Sequence, residues 1–152
     1  MQVKKPNIKE SKLHRRLMNN TLLTEEQQKL LIIDLCGRAP YGTCFIQFPK
    51  SGIFPDGMED TIQKVEVKDI RRIIVNLQVV TLKPYLRRMS SMTEEEKKEY
   101  YKLHVIEYDD NGHIIDKTGK DIDWLNEHCF DYRGLIDMGI AIEAPKEMYT
   151  FN

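Results

Sequence analysis

Long apolar runs are missing from this 152-residue chain, and no segment stays uncharged for the length of a signal-peptide core or a bilayer span. The sequence therefore predicts neither a leader nor a membrane helix. Cysteine is scarce. Cys36, Cys44 and Cys129 are odd in number and widely scattered, which argues against a secreted disulfide framework and fits a reducing compartment. The cytoplasm is the expected location. Charge of one sign is also lacking: the net charge of −1, with 31% charged and 41% hydrophobic residues, excludes a disordered chain or one that coats nucleic acid by bulk charge. At this length a single domain buries roughly 70% of its unfolded surface, so neither disulfides nor metals are needed for a core.

The signatures of catalysis and metal binding are absent as well. There is no Gly-rich phosphate loop, no G-x-S-x-G, no H-E-x-x-H and no C-x-x-C. Cys36 and Cys44 are eight residues apart, and His14 and His104 have no neighbouring ligands. No catalytic residue, cofactor or metal is expected.

The most informative stretch present is Lys83 to Leu103, KPYLRRMSSMTEEEKKEYYKL. Pro84 keeps the incoming chain extended, whereas Ser91 with Glu94, and Thr93 with Glu96, each fit the S/T-x-x-E box that caps a helix start. Glu94, Glu95 and Glu96 sit where the helix dipole favours negative charge, and Glu94 reaches Lys97 and Lys98 at spacings of three and four. A helix is expected over about 93–103.

Together with FDYRGLIDMGIAIEAP at Phe130 to Pro145, this stretch resembles a family of uncharacterised proteins that recurs in Bacteroidales genomes and in the phages and mobile elements that infect them. The resemblance runs from about Leu22, through DLCGRAPYG at Asp34 to Gly42, to the C-terminus. Related sequences read LRPMSSMTEEE and HHFDYRGLI where this chain has Arg88 and Cys129. The resemblance implies a lineage and no activity, cofactor or catalytic residue. It also extends the expected location to the infected cell's cytoplasm, or to the virion if the protein is packaged.

Elsewhere, Thr24 with Gln27 forms another capping box ahead of an apolar helix over about 24–36 that Gly37 can close. TCFIQF at Thr43 to Phe48 reads as a strand, followed by the loop Pro49 to Gly57. Further strands are expected at Thr61 to Val67 and at Ile73 to Val80, where Ile73, Val75, Leu77 and Val79 alternate with Ile74, Asn76 and Gln78. His104 to Tyr108 and His113 to Asp116 flank an Asn111-Gly112 pair that favours a hairpin. Asp121 and Asp131 look like caps of two short helices, the second ended by Gly139. These elements make an α+β domain over residues 21–152, with an antiparallel sheet or a small half-open barrel in the middle. Residues 1–20 are expected to form a basic, flexible arm.

Three local patterns invite chemistry. Glu107, Asp109, Asn111 and Gly112 have EF-hand spacing, but position twelve is Thr118 and the bidentate carboxylate is missing, so a turn is the better account. His128, Cys129 and Asp131 suggest a Cys/His nucleophile pair, yet adjacent helix residues point about 100° apart, and a buried cysteine beside a helix-end histidine accounts for them more simply. Asp131, Tyr132 and Arg133 form a polar triplet between apolar stretches; either it caps, packs and pairs locally, Arg133 with Asp137, or it is a recognition corner.

Two functional classes remain. The first is a small non-enzymatic protein-binding or accessory protein, with an unidentified protein partner contacted through Tyr85, Arg87, Arg88, Asp131, Tyr132 and Arg133, a composition that interface hot spots favour. The alternative is nucleic-acid binding through Lys4, Lys5, Lys9, Lys12, Arg15 and Arg16. These six cations face only Glu10 within residues 1–20, a balance of +5 that leaves −6 for the remainder.

Overall fold

The computed structural model describes residues 23–48, 61–77 and 82–150. Helix α1 (Glu25–Arg38) starts at the Thr24 box: the Gln27 amide donates to the Thr24 hydroxyl at 3.2 Å and the Thr24 amide to the Gln27 side chain at 3.0 Å. Its inner face carries Leu31 and Leu35 together with Asp34 and Arg38. Gly37 does not close the helix. A Cβ there would meet the Asn126 side chain at 3.2 Å, so the glycine permits close approach of the Lys120–Glu127 segment, and the helix ends one residue later. A 3-10 turn at Ala39–Tyr41, with Pro40 near its start and Gly42 at φ 61°, then redirects the chain.

Strands β1 (Phe45–Phe48) and β2 (Thr61–Lys64) pair antiparallel, and the Val65 amide extends the ladder to the Cys44 carbonyl at 2.8 Å. The strand expected to reach Val67 stops at Lys64. Reciprocal bonds between Glu66 and Asp69 instead begin a 3-10 turn at Val67–Asp69, which leads into helix α2 (Ile70–Leu77). This helix overturns the strand expected at Ile73 to Val80, whose residues 78–80 lie outside the described residues. The alternation that suggests a strand is short. The wider pattern of Ile70, Ile73, Ile74 and Leu77 has the 0, 3, 4, 7 spacing of a helix, and Ile73 is buried while Val75 is exposed.

Strand β3 (Lys83–Arg88) is the spine of the sheet. Its N-terminal half pairs antiparallel with β1, Ile46 facing Pro84 and Gln47 facing Lys83. After helices α3 (Glu94–Lys102) and α4 (Lys120–Glu127), two short strands join its C-terminal half in parallel. These are β4 (Phe130–Asp131), on Arg87 and Arg88, and β5 (Ile142–Glu143), on Tyr85 and Leu86. The α+β class thus holds, with an N-terminal helix before a five-stranded sheet that is mixed rather than purely antiparallel and stays open. Leu82 and Leu86 enter the main core with Leu31, Leu35, Ile46, Ile73, Leu135 and Ile140. Helix α3 has no buried residue of its own and is held through rings: Tyr100 lies 5.6 Å from Trp124 of α4, and Trp124 stacks on His128 at 4.1 Å and on Phe130 at 5.6 Å.

Continuing the β1–β3 register would join Phe45 to Tyr85, and there the Tyr149 hydroxyl stands between the strands. It accepts the Phe45 amide at 2.8 Å and donates to the Tyr85 carbonyl at 2.8 Å. Burial pushes this phenol up to about 12. Tyr149→Phe is expected to cost roughly 1–3 kcal/mol, because two backbone groups lose their partner in a buried setting. The shift has a sign. Because the folded value is raised, the contribution is complete below the ordinary tyrosine value of about 10 and is lost as pH rises through the folded value of about 12. Unfolding curves should therefore show wild type losing its advantage over Tyr149→Phe in that alkaline window; parallel curves throughout would refute the assignment.

The segment between α3 and α4 makes less sheet than expected. Two strands shrink to one bridge, Tyr108 to Ile114, closed by Gly112 at φ 81°. Asp109 ties the tip by accepting the amides of Asn111 and His113, each at 2.9 Å, which together hold its carboxyl below the usual range. Nor is Asp121 a cap: Gly119, at φ 81°, occupies that position and Asp121 lies in the first turn of α4. Asp131 does cap, accepting the Leu135 and Ile136 amides at 2.8 and 2.9 Å, but the segment it caps is a turn ending at Gly139 rather than a helix.

Candidate interaction surface

The parallel β3–β4 pairing sets Arg87 beside Phe130 and Arg88 beside Asp131, so the KPYLRR and FDYR words that hold the six residues expected to meet a partner run side by side. Most of their polar groups are engaged within the fold. Arg87 makes a two-pronged pair with Glu96 at 2.8 and 2.9 Å and lies over the Phe130 ring at 4.2 Å, both partners of the pair being only 14% exposed. Burial pushes the Glu96 carboxyl up, but the Arg87 N–H groups and the Thr93 amide outweigh it and hold the group below its ordinary value. Thr93, rather than Ser91, caps α3; the Ser91 hydroxyl donates to the Arg88 carbonyl at 2.7 Å. Arg88 bridges Asp137 and Glu143, each at 2.8 Å, and is the more exposed of the two arginines. The Tyr85 hydroxyl reaches Gln47 at 3.4 Å.

The Asp131–Arg133 corner faces α1. The Tyr132 hydroxyl donates to Asn126 at 3.0 Å, and the guanidiniums of Arg133 and Arg38 lie 4.9 and 5.5 Å from its ring centre. Arg133 turns to Asp34 at 3.4 Å, not to Asp137. Asp34 and Arg38, both fully buried, pair at 2.7 and 2.9 Å, and Arg38 also donates to the Phe130 carbonyl at 2.9 Å. The sequence carries a sign of this cluster: Asp34 and Arg38 share the spacing of Leu31 and Leu35, the signature of a charged pair on the inward face.

Cys44 and Cys129 form a disulfide with Cα atoms 5.6 Å apart, leaving Cys36 as the free, exposed thiol. Two of the three cysteines that look scattered in the sequence are thus joined, and the bond takes up the thiol that a Cys129–His128 nucleophile pair requires. With the partners 85 positions apart in sequence, nothing local could have revealed the bond. His128 ends α4, its ring nitrogen 2.8 Å from the Trp124 carbonyl. Nearby, a cleft of about 1040 Å³ runs between the Arg87–Ser91 segment, the start of α3 at Glu95 and Glu99, and the C-terminal stretch at Lys146 and Tyr149.

Sequence reasoning missed the most exposed apolar surface. Every residue from His104 to Asp116 is exposed. Seven of the twelve exposed large apolar side chains among the described residues lie between Tyr101 and Ile122, including Val105, Ile106, Tyr108, Ile114 and Ile115. Residues 104–116 also carry four carboxylates, Glu107, Asp109, Asp110 and Asp116, and no lysine or arginine. At the root of this projection Lys117 pairs with Glu107 at 2.7 Å and reaches the Lys102 and Val105 carbonyls at 3.3 and 3.4 Å, fixing where it leaves α3.

The six cations of residues 1–20 lie outside the described residues. Among the described residues no cluster of three or more metal-ligating side chains occurs, and no helix is long and apolar enough to cross a membrane. No protein-family model, curated protein or solved structure matches this chain.

Proposed function

We propose that the chain is a small non-enzymatic accessory protein that binds another protein, and that its contact element is the projection at residues 104–116. The observation that carries this reading is the coincidence of five exposed large apolar side chains with four carboxylates and no Lys or Arg on one segment. A partner suited to it offers an apolar groove with a cationic rim, the apolar contact supplying affinity and the rim supplying orientation. Tyr85, Arg87, Arg88 and the Asp131–Arg133 corner then act mainly as the frame behind this element. The phage or mobile-element lineage that the resemblance implies suits host modulation, or a virion accessory role, in the cytoplasm of an infected cell.

The test is capture from nuclease-treated host lysate, followed by titration of the purified partner. Ile106→Asp with Ile114→Asp should weaken binding at least about 100-fold, a loss of about 2.7 kcal/mol. Both positions are already exposed, so the melting temperature should stay within about 2 °C. Undiminished binding by the double variant, or capture that requires intact nucleic acid and residues 1–20, would defeat the proposal.

A further inference from the structure

A second, smaller core lies apart from the main one. Cys44, Cys129 and Tyr149 form it, with Phe45, Tyr85, Ala144 and Met148 packed against them. The disulfide is its centre, fully buried, and the C-terminal stretch Ala144–Tyr149 lies across it. Two attachments hold that stretch, the Ala144 amide donating to the Leu86 carbonyl at 2.8 Å and the Tyr149 hydroxyl bridging Phe45 and Tyr85, while within it the Met148 amide donates to the Pro145 carbonyl at 3.0 Å. Cys129 itself sits at φ 60°, alone among the described non-glycine residues in that region, which a side chain adopts only when its surroundings hold it there. Its carbonyl accepts the Arg87 amide at 2.8 Å. The bond therefore fixes three things at once: the head of β1, the strained turn into β4, and the floor beneath the C-terminal stretch.

We propose that the Cys44–Cys129 disulfide is a redox latch: intact, it holds Ala144–Tyr149 over the head of β1 as one wall of the cleft, and when reduced it frees that stretch while the main core stays folded. The co-reactant is a low-molecular-weight thiol. Its thiolate enters when the covering stretch opens transiently and attacks one sulfur, the S–S bond breaks, and the other cysteine leaves as a thiolate that takes a proton from water. A second small thiol then attacks the mixed disulfide, releasing a small-molecule disulfide and the second protein thiol. Two small thiols are oxidised while the protein bond gains two electrons. The division of the core locates the effect, because the main cluster of Leu31, Leu35, Ile46, Leu86 and Ile140 contains neither sulfur.

Hydrogen exchange on the full chain tests this, after equilibration with an oxidised small-molecule disulfide and again after addition of dithiothreitol. Alkylation of the native oxidised protein should label one thiol, Cys36, and of the reduced protein three. On reduction, exchange at the Phe45, Ala144 and Met148 amides should accelerate at least about tenfold, with α1 amides changing less than about twofold. Cys44→Ser with Cys129→Ser should reproduce the reduced pattern without reductant, although the comparison on wild type stands even if that variant folds poorly. Three labelled thiols in the oxidised protein, unchanged protection of residues 144–149, or loss of protection across α1 as well would each overturn the latch.

Discussion

Asp34→Ala is expected to destabilise the protein by about 3–5 kcal/mol, since it removes the carboxylate that faces two inward guanidiniums, one of them in a fully buried pair. For a chain of this size each kcal/mol moves the melting temperature by about 2–4 °C, so a drop of about 6–20 °C should result. Trp124, the single tryptophan, reports it by fluorescence, because its ring contacts Phe130, whose carbonyl Arg38 holds. The cost comes less from lost attraction than from a buried cation left without a counter-charge. One Arg38 nitrogen, Nη1, and the Arg133 Nε already lack hydrogen-bond partners, so nothing nearby stands ready to take over from Asp34. Replacing both members, Asp34→Leu with Arg38→Met, should then cost much less than Asp34→Ala alone, as buried pairs often do when exchanged for apolar residues of similar size. A cost below about 1 kcal/mol for Asp34→Ala would mean that water reaches the cluster.

How much of this is legible in the sequence depends on the distance over which each signal acts. The Thr24 and Thr93 boxes are complete within four residues, and both helix starts appear where the sequence puts them. Helix α2 reads as a strand because β-branched residues over a short window satisfy a period of two as well as one of 3.6; only Ile70, before the window, and the capping pair Glu66 and Asp69 decide it. Strands β4 and β5 are two residues each, too short to leave any periodicity, so the parallel half of the sheet is invisible in the sequence. The Cys44–Cys129 bond is invisible for the opposite reason, its partners being remote in sequence. The 104–116 projection falls between these cases. Its turn chemistry is legible in Asp109, Asn111 and Gly112, but its exposure is a tertiary fact: Ile114 and Ile115 look like core residues until no other described element is found to cover them.

Arg87→Ala separates a structural role for this arginine from a contact role. An aromatic and two arginines on an extended segment look like binding hot spots, yet Arg87 is spent on Glu96 and Phe130. Removing it forfeits a two-pronged charged hydrogen bond and a cation–ring contact, and leaves Glu96 half-buried without its main partner, a loss of about 2–4 kcal/mol in all. Urea unfolding should show that loss at neutral pH. Acid should erase part of it. The Glu96 carboxyl is held below its unfolded value in the folded protein, so its contribution is present above the ordinary glutamate value of about 4.3 and disappears as pH falls through the lower folded value. The gap between wild type and Arg87→Ala should accordingly narrow below about pH 4. If Arg87→Ala instead left stability untouched at every pH and abolished partner capture, Arg87 would be a contact residue after all, and the interface would lie along β3 rather than on the projection between α3 and α4.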